Sequence, residues 1–271
     1  MLLWIILFLI GVAGGTIGSV VGLGGGIIIV PSLLFIGSYT DLLPSITPQL
    51  VVGTSMLILI VVGLSSTLAY IKQKKVDYRA GLLFFIGSGP GAYLGAIINN
   101  YIQSDLFYIY FGIFMIIISI ILSVRKYIKP IQKEYGIVRI YESETGEEFR
   151  YSYQPVIGIL IAFVVGIFSG LFGIGGGSLL VPMMLLLFRF PAPVAVATSM
   201  FLVFISSIIG SVAHIKLGNI EWLWALWLVP GAWFGGKIGA FLNKRLADQT
   251  IIIILRVLLV IVGIRLIFQG L

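Results

Sequence analysis

The stretch "GLGGGIIIVP", residues 22–31, interrupts a long apolar segment that carries no charge before Asp41. Glycine weakens a helix, and Pro31 removes a backbone donor. The interruption recurs at residues 173–182, which read "GIGGGSLLVP". Inside a membrane, broken backbone is tolerated only where it packs on protein or lines a cavity. The two stretches therefore predict two special positions in a membrane-embedded fold.

The composition defines the class of protein. Of the 271 residues, 59% are hydrophobic and only 10% are charged, and the mean hydropathy is +1.15. Because soluble domains average roughly 25% charged residues, we predict an all-α integral membrane protein, multi-pass in the cell membrane. The apolar runs are too long for the strands of a β-barrel. They cover residues 2–36, 46–71, 80–99, 106–124, 155–188, 194–215, 222–242 and 249–268.

The charged and reactive residues exclude several classes of function. The net charge of +7 is what basic cytoplasmic loops produce in a membrane protein, so it does not indicate nucleic acid. With no cysteine and one histidine, we expect no metal site, no cofactor and no enzymatic activity. The N-terminus lacks the basic region of a signal peptide, so we expect residues 1–20 to be retained.

The chain is a duplicated unit, because four blocks occur twice in the same order. Besides the glycine stretches, the paired blocks are "VVGTSM" (51–56) with "AVATSM" (195–200), "AYIKQKKVDY" (69–78) with "AHIKLGNIEW" (213–222), and "PGAYLGA" (90–96) with "PGAWFGG" (230–236). Internal repeats of this kind are a signature of secondary transporters. We predict a first transmembrane repeat over residues 1–124 and a second over residues 155–271.

A polar linker, residues 125–154, separates the two repeats and should be cytoplasmic. Within it, "GIVRIYESETGEEFRYSY", residues 136–153, alternates like a small β-hairpin with a turn near Gly146. Two interpretations stay open for the linker: a solvated connection, or a surface for regulation or for a partner.

The number of membrane crossings depends on the glycine stretches. Residues 2–36 would measure about 52 Å as one helix, against a hydrocarbon core of about 30 Å. Each repeat should therefore begin with a pair of helices broken at the glycines. A hairpin there gives five crossings per repeat and inverted repeats, whereas a single discontinuous span gives four crossings and parallel repeats. The basic segment at residues 72–79 should be cytoplasmic, and we favour inverted repeats.

The glycine stretches are candidate binding sites for an anion. Freed backbone N–H groups and the positive end of the following helix attract negative charge, and glycine lets a ligand approach the backbone. The alternative is that the glycines permit close packing of helices. The candidate residues are Gly22, Gly24, Gly25, Gly26, Gly173, Gly175, Gly176 and Gly177.

Hydroxyl side chains form a second candidate set. The repeated "TSM" supplies Thr54, Ser55, Thr198 and Ser199 as hydrogen-bond donors to a ligand. At helical spacing, Ser199 shares a face with Ser206, Gly210 and His214. Such a stripe lines a path or joins helices. The candidate accessory residues are Lys237, His214 and Tyr70. For Lys237 we expect the side chain to extend to the membrane interface, and for His214 an interfacial position, with proton coupling as the alternative.

The doubled "GxGGGxxxVP", the "TSM" that follows it and the "PGAxxG" block resemble the TauE/SafE sulfite exporter family of integral membrane transporters. The resemblance covers both repeats and implies transport of small sulfur-containing anions, such as sulfite or organosulfonates. The glycine motif of the family carries over to the glycines named above, with Pro31 and Pro182 at its end.

Together, these observations predict a secondary transporter of small anions, with sulfur oxyanions or organosulfonates as the substrate class. The anion would bind between the two repeats near the bilayer midplane, and the alternative is a passive anion channel. The expected partners are the anion and the lipid bilayer. A coupling ion, either H⁺ or Na⁺, and the oligomeric state are left open by the sequence.

Overall fold

A computed structural model describes residues 2–39, 46–124, 136–142, 146–243 and 248–271. The helices of the first half are α1 (Leu2–Val21), α2 (Gly26–Tyr39), α3 (Pro48–Lys72), α4 (Tyr78–Tyr101) and α5 (Ser104–Val124). Those of the second half are α6 (Pro155–Phe172), α7 (Gly177–Leu186), α8 (Ala192–Lys216), α9 (Trp222–Leu242) and α10 (Asp248–Gly270). Between the halves lie strands β1 (Ile137–Glu142) and β2 (Glu148–Tyr153).

Seven helices among the described residues are long and apolar enough to cross a membrane, namely α1, α3, α4, α5, α6, α8 and α9. This confirms the prediction of an all-α, multi-pass integral membrane protein. Helix α2 is apolar as well but shorter. Exposed Leu, Ile and Phe side chains on the outer helix faces suit a lipid environment.

The helix ends follow from local sequence signals. Thr47 accepts a hydrogen bond from the Leu50 N–H (3.3 Å) at the start of α3, where Pro48 occupies the first turn. The Asp77 carboxylate accepts from the N–H groups of Arg79 and Ala80 at the start of α4. These caps satisfy backbone donors that a helix leaves unpaired.

At the first glycine stretch the chain turns back on itself. A Cβ placed on Gly14 of α1 would lie 3.1 Å from the Gly25 oxygen and 3.2 Å from the tip of Ile29 in α2. Along one straight helix, Gly14 and Ile29 would be about 22 Å apart. Residues 2–36 therefore form a helical hairpin, one of the two arrangements that the sequence left open.

Corresponding helices of the two halves run in opposite directions. Gly53 of α3 contacts His214 of α8, and Gly63 contacts Phe204, so residue numbers rise along one helix as they fall along the other. Helices α5 and α10 are antiparallel in the same way, with Asp105 against Gly270 and Gly112 against Gly263. The α3–α4, α5–α6 and α7–α8 connections lie together at one end of the bundle, because the linker between α5 and α6 contacts Asp77 of the first and Phe188 of the last.

The packing is also matched between the halves. Helix α1 packs on α9, and α6, which corresponds to α1, packs on α4, which corresponds to α9. In the same way, α3 packs on α9, and its counterpart α8 packs on α4. The α1–α9 pair is parallel, since Gly11 lies against Gly231 and Gly15 against Gly235. Glycines on both helices of this pair bring the two backbones together, as small residues do in membrane bundles.

The predicted β-hairpin is confirmed in the described part of the linker. Strands β1 and β2 are antiparallel, with Ile137 opposite Tyr153 and Glu142 opposite Glu148. Gly146, at the predicted turn, has φ +81°. Residues 125–135, the first part of the linker, and the turn residues 143–145 lie outside the described residues.

Candidate functional site

The two glycine stretches form tight turns, here called the glycine loops (residues 22–26 and 173–177). Gly22 and Gly24 have φ of +77° and +75°, and Gly173 and Gly175 have φ of +66° and +73°. These left-handed conformations explain why glycine is required at the first and third positions of each loop. Each loop leads directly into a helix, α2 at Gly26 and α7 at Gly177.

The two loops contact each other in the interior of the protein. A Cβ on Gly26 would overlap the Gly173 carbonyl oxygen, and a Cβ on Gly177 would overlap the Gly22 carbonyl oxygen. Every residue of both loops is buried. The structure therefore joins the N-termini of α2 and α7 at the interface of the two halves.

The serine of each "TSM" holds the glycine loop of the opposite half. Ser55 donates a hydrogen bond to the Gly173 carbonyl (2.6 Å), and Ser199 donates to the Gly22 carbonyl (2.7 Å). Both serines are fully buried. Hydroxyls occupied in this way fix the loops in place, so their present role is structural.

The threonines make an equally matched pair of contacts. The Glu221 N–H donates to the Thr54 hydroxyl, and the Asp77 N–H donates to the Thr198 hydroxyl, both at 3.0 Å. Asp77 and Glu221 precede α4 and α9 respectively. Each "TS" pair thus contacts the opposite half at two points. The serine contacts the glycine loop of that half, and the threonine contacts the residue that precedes its fourth helix.

Several backbone N–H groups of the glycine loops have no acceptor in the described part of the chain. Among the hydrogen bonds of the described residues, none is donated by the N–H of Gly24, Gly25 or Gly26, nor by those of residues 175–177. Buried N–H groups without a partner are rare in proteins. These donors lie where two helix N-termini meet, which is a favourable environment for an anion.

The accessory candidates lie in different environments. The Tyr70 hydroxyl donates to the Ser19 carbonyl (2.8 Å), and His214, at the corresponding position, has its Nε2 3.1 Å from the Gly170 carbonyl oxygen. His214 lies in the last turn of α8 and is fully buried, so its ring fills a helix contact. Lys237 is exposed, with its ammonium 4.9 Å from the centre of the Trp233 ring.

The serine stripe on α8 joins helices. The Ser206 hydroxyl bonds Ser88 of α4 at 2.6 Å, and Gly210 lies against Met56 of α3. In the first half, Ser66 bonds the Gly236 carbonyl of α9 (3.4 Å). Of the two interpretations of the stripe, helix association is the one that these contacts support.

A cavity of about 360 Å³ lies between α1, α2 and α10. It is mainly apolar and includes Pro31, Phe35, Arg265 and Gln269, but no residue of the glycine loops. The described residues contain no group of three or more His, Cys, Asp or Glu side chains that could hold a metal ion.

The sequence did not indicate the cluster around Asp77. Tyr151 of β2 donates a hydrogen bond to the Asp77 carboxylate (2.8 Å), and Arg139 of β1 lies 3.5 Å from the same oxygen. The signals available were the match of Asp77 with Glu221 between the halves and the hairpin pattern of residues 136–153.

The fold defines the class, an all-α, multi-pass integral membrane protein. The chain matches the family model described as sulfite exporter TauE/SafE over residues 7–266. It is 54% identical to the probable membrane transporter protein YunE of Bacillus subtilis over 98% of both chains. It is 27% identical to the probable membrane transporter protein MJ0441 of Methanocaldococcus jannaschii, over 97% of this chain and 95% of the relative. No solved structure matches it.

The chain therefore belongs to the sulfite exporter TauE/SafE family. It is a membrane transporter and not an enzyme, as the sequence predicted, and it resides in the cell membrane. Its partners are a small substrate and the lipid bilayer.

Proposed function

We propose that this protein is a secondary transporter of small anions, with sulfur oxyanions or organosulfonates as its substrates. One observation carries the proposal: the N-termini of α2 and α7 meet at the glycine loops with buried N–H groups that have no acceptor among the described residues. Neither loop nor either "TSM" contains an acidic residue that would repel an anion. The description of the family as sulfite exporters supports the substrate class.

The two halves are inverted with respect to each other in this proposal. The antiparallel packing of α3 on α8 and of α5 on α10 supports this arrangement. The linker then lies on the same side as the α3–α4 connection, whose residues 72–79 are basic. Because basic loops face the cytoplasm, that side is cytoplasmic.

Transport requires the halves to move. The glycine loops are buried against each other, so an anion reaches the N–H groups only when the contacts between the halves loosen. The Ser55–Gly173 and Ser199–Gly22 hydrogen bonds cross this interface. Alternating loosening on the two sides favours a carrier over the passive anion channel.

Flux into proteoliposomes tests the proposal. Labelled sulfite, a small sulfonate and sulfate are offered to the purified protein, and uptake of at least one is expected. A carrier also shows faster uptake when the same anion is present inside, whereas a channel does not. Correctly folded protein that transports none of these anions contradicts the proposal.

A matched pair of variants tests the site. Gly176 precedes α7, where Asp and Asn are both favourable capping residues of nearly equal size. The carboxylate of Gly176→Asp would occupy the N–H groups and repel an anion, whereas Gly176→Asn adds no charge. We expect roughly tenfold lower flux for Asp than for Asn. Equal flux in two equally stable variants would place the anion elsewhere, and the glycines would then serve packing alone.

A further inference from the structure

The linker hairpin, defined as β1 and β2, is firmly inserted into the helical core at one end of the bundle. Tyr151 and Tyr153 alternate with Ser152 along β2, and both tyrosines are almost fully buried. The ring centres of Tyr151 and Phe190 are 4.3 Å apart, and those of Tyr153 and Phe84 are 5.6 Å apart. A solvated connection would not bury two aromatic side chains.

The hairpin connects the two halves of the protein. Tyr151 bonds Asp77 at the start of α4, in the first half. The Ser152 N–H donates to the carbonyl of Phe188, between α7 and α8 in the second half (3.3 Å). The hairpin therefore spans a boundary that has to loosen when this side opens.

The hydrogen bond between Tyr151 and Asp77 is strong and sheltered. Burial raises the pKa of Tyr151, and the nearby Asp77 carboxylate raises it further, so the phenol stays protonated and donates. A hydrogen bond to a charged group contributes more than a neutral one. The Arg139 guanidinium places a positive charge 3.5 Å from an oxygen of the same Asp77 carboxylate.

The contact is close to the proposed binding site. The Asp77 N–H is bonded to Thr198, and the adjacent Ser199 holds the Gly22 carbonyl. A displacement of Asp77 is thereby transmitted through the first turns of α8 to a glycine loop.

Within the part of the chain that the structure describes, the restraint is found on one side of the molecule only. Glu221 occupies the position that corresponds to Asp77 and is bonded through its N–H to Thr54 in the same way. Its side chain, however, makes no capping hydrogen bond and is only half-buried. The hairpin sequence occurs once in the chain, so the two ends of the pseudo-symmetric core are held unequally.

We propose that the linker hairpin is a latch that holds the two halves together on its own side of the membrane and must release Asp77 before that side opens. This inference rests on the proposed function, because it assumes that the halves move. The latch makes the closed state of one side more stable than that of the other, and so sets how often that side opens.

The absence of cysteine from the chain allows each step to be measured with one introduced thiol. Ser152→Cys reports lifting of the hairpin, since Ser152 is buried and differs from Cys by one atom. Ala195→Cys, in the first turn of α8 and fully buried in the cluster that contains Tyr151 and Tyr153, reports opening beneath it. Both are treated with a water-soluble maleimide in the absence of substrate.

Tyr151→Phe removes the bond to Asp77, and Tyr153→Phe is its control. The control deletes the Tyr153 hydroxyl, which lies on the same strand as Tyr151. This hydroxyl makes no hydrogen bond among the described residues. Loss of a hydrogen bond to a charged group should raise the labelling rate of both thiols by about tenfold or more, while Tyr153→Phe leaves the rates near those of the parent. Asp77→Asn should raise both rates in the same direction but by less, because its amide oxygen still accepts from Tyr151 without a charge.

The outcomes separate the latch from the transport proposal. Faster labelling at Ser152→Cys without any change at Ala195→Cys, or equal labelling in Tyr151→Phe and Tyr153→Phe, overturns the latch. Where transport is measured, a latch predicts that Tyr151→Phe increases anion exchange, whereas a hairpin needed only for stability predicts a decrease. Labelling does not depend on substrate, so failure to transport any anion would refute the proposed function without altering this readout.

Discussion

Gly177 should tolerate alanine much less well than its neighbour Gly176. A Cβ on Gly177 would overlap the Gly22 carbonyl oxygen and lie 2.7 Å from the Ser199 hydroxyl and 2.9 Å from the Leu23 Cα. Two of these atoms are backbone of the opposing loop, so relief requires the halves to separate. Overpacking of a tight site destabilises by about 1–3 kcal/mol, and alanine recovers about 1 kcal/mol of helix propensity. With the overpacking cost at the top of that range, about 3 kcal/mol, and about 1 kcal/mol recovered, we expect a net loss of about 2 kcal/mol.

At Gly176 the same methyl group is tolerated. The residue has φ −63°, and the nearest atoms to its Cβ are side-chain tips of Leu180 at 3.2 Å and Val165 at 3.4 Å. We expect a change of about 1 kcal/mol or less, mainly because alanine is a poor residue before a helix.

Thermal unfolding in detergent measures the difference in stability between the two variants. It is followed by the fluorescence of the five tryptophans. At about 2–4 °C per kcal/mol, Gly177→Ala should lower the midpoint by about 4–8 °C and Gly176→Ala by no more than about 4 °C. Both are scanned at the same rate, because unfolding of membrane proteins is often irreversible. If Gly177→Ala is as stable as Gly176→Ala, the loops do not pack on each other as described.

Three further predictions use the internal symmetry. Ser55→Ala and Ser199→Ala should lower stability by similar amounts, about 1–3 kcal/mol each, measured as the shift in the unfolding midpoint. A large loss in only one variant would show that the two loops are not held equivalently. His214→Tyr should be tolerated within about 1 kcal/mol, because tyrosine occupies the matching position of the first half, while His214→Phe should be more harmful by the same assay. Cysteines replacing Lys72 and Lys216, which match in the repeat, should be labelled by an impermeant maleimide from opposite sides of the membrane; labelling from one side would exclude inverted halves.

Much of the local structure was readable from the residues. The apolar runs predicted the helices, and the glycines located the two breaks, because a charge-poor segment of 2–36 is too long for one span. The alternation in residues 136–153 predicted the hairpin and its turn at Gly146. The contact of His214 with Gly170 could not be read in this way, because Gly170 belongs to another helix.

The sequence by itself determined that this protein is a helical membrane protein with two glycine breaks, since hydropathy, periodicity and the conformational freedom of glycine act over neighbouring residues. Only the tertiary structure decided that the breaks face each other, that Ser55 and Ser199 each hold the opposite loop, and that Tyr151 binds Asp77. The physical reason is the distance along the chain between these partners. Hydrogen bonds and packing of this kind are satisfied by whichever groups the fold brings together, and no local pattern specifies them.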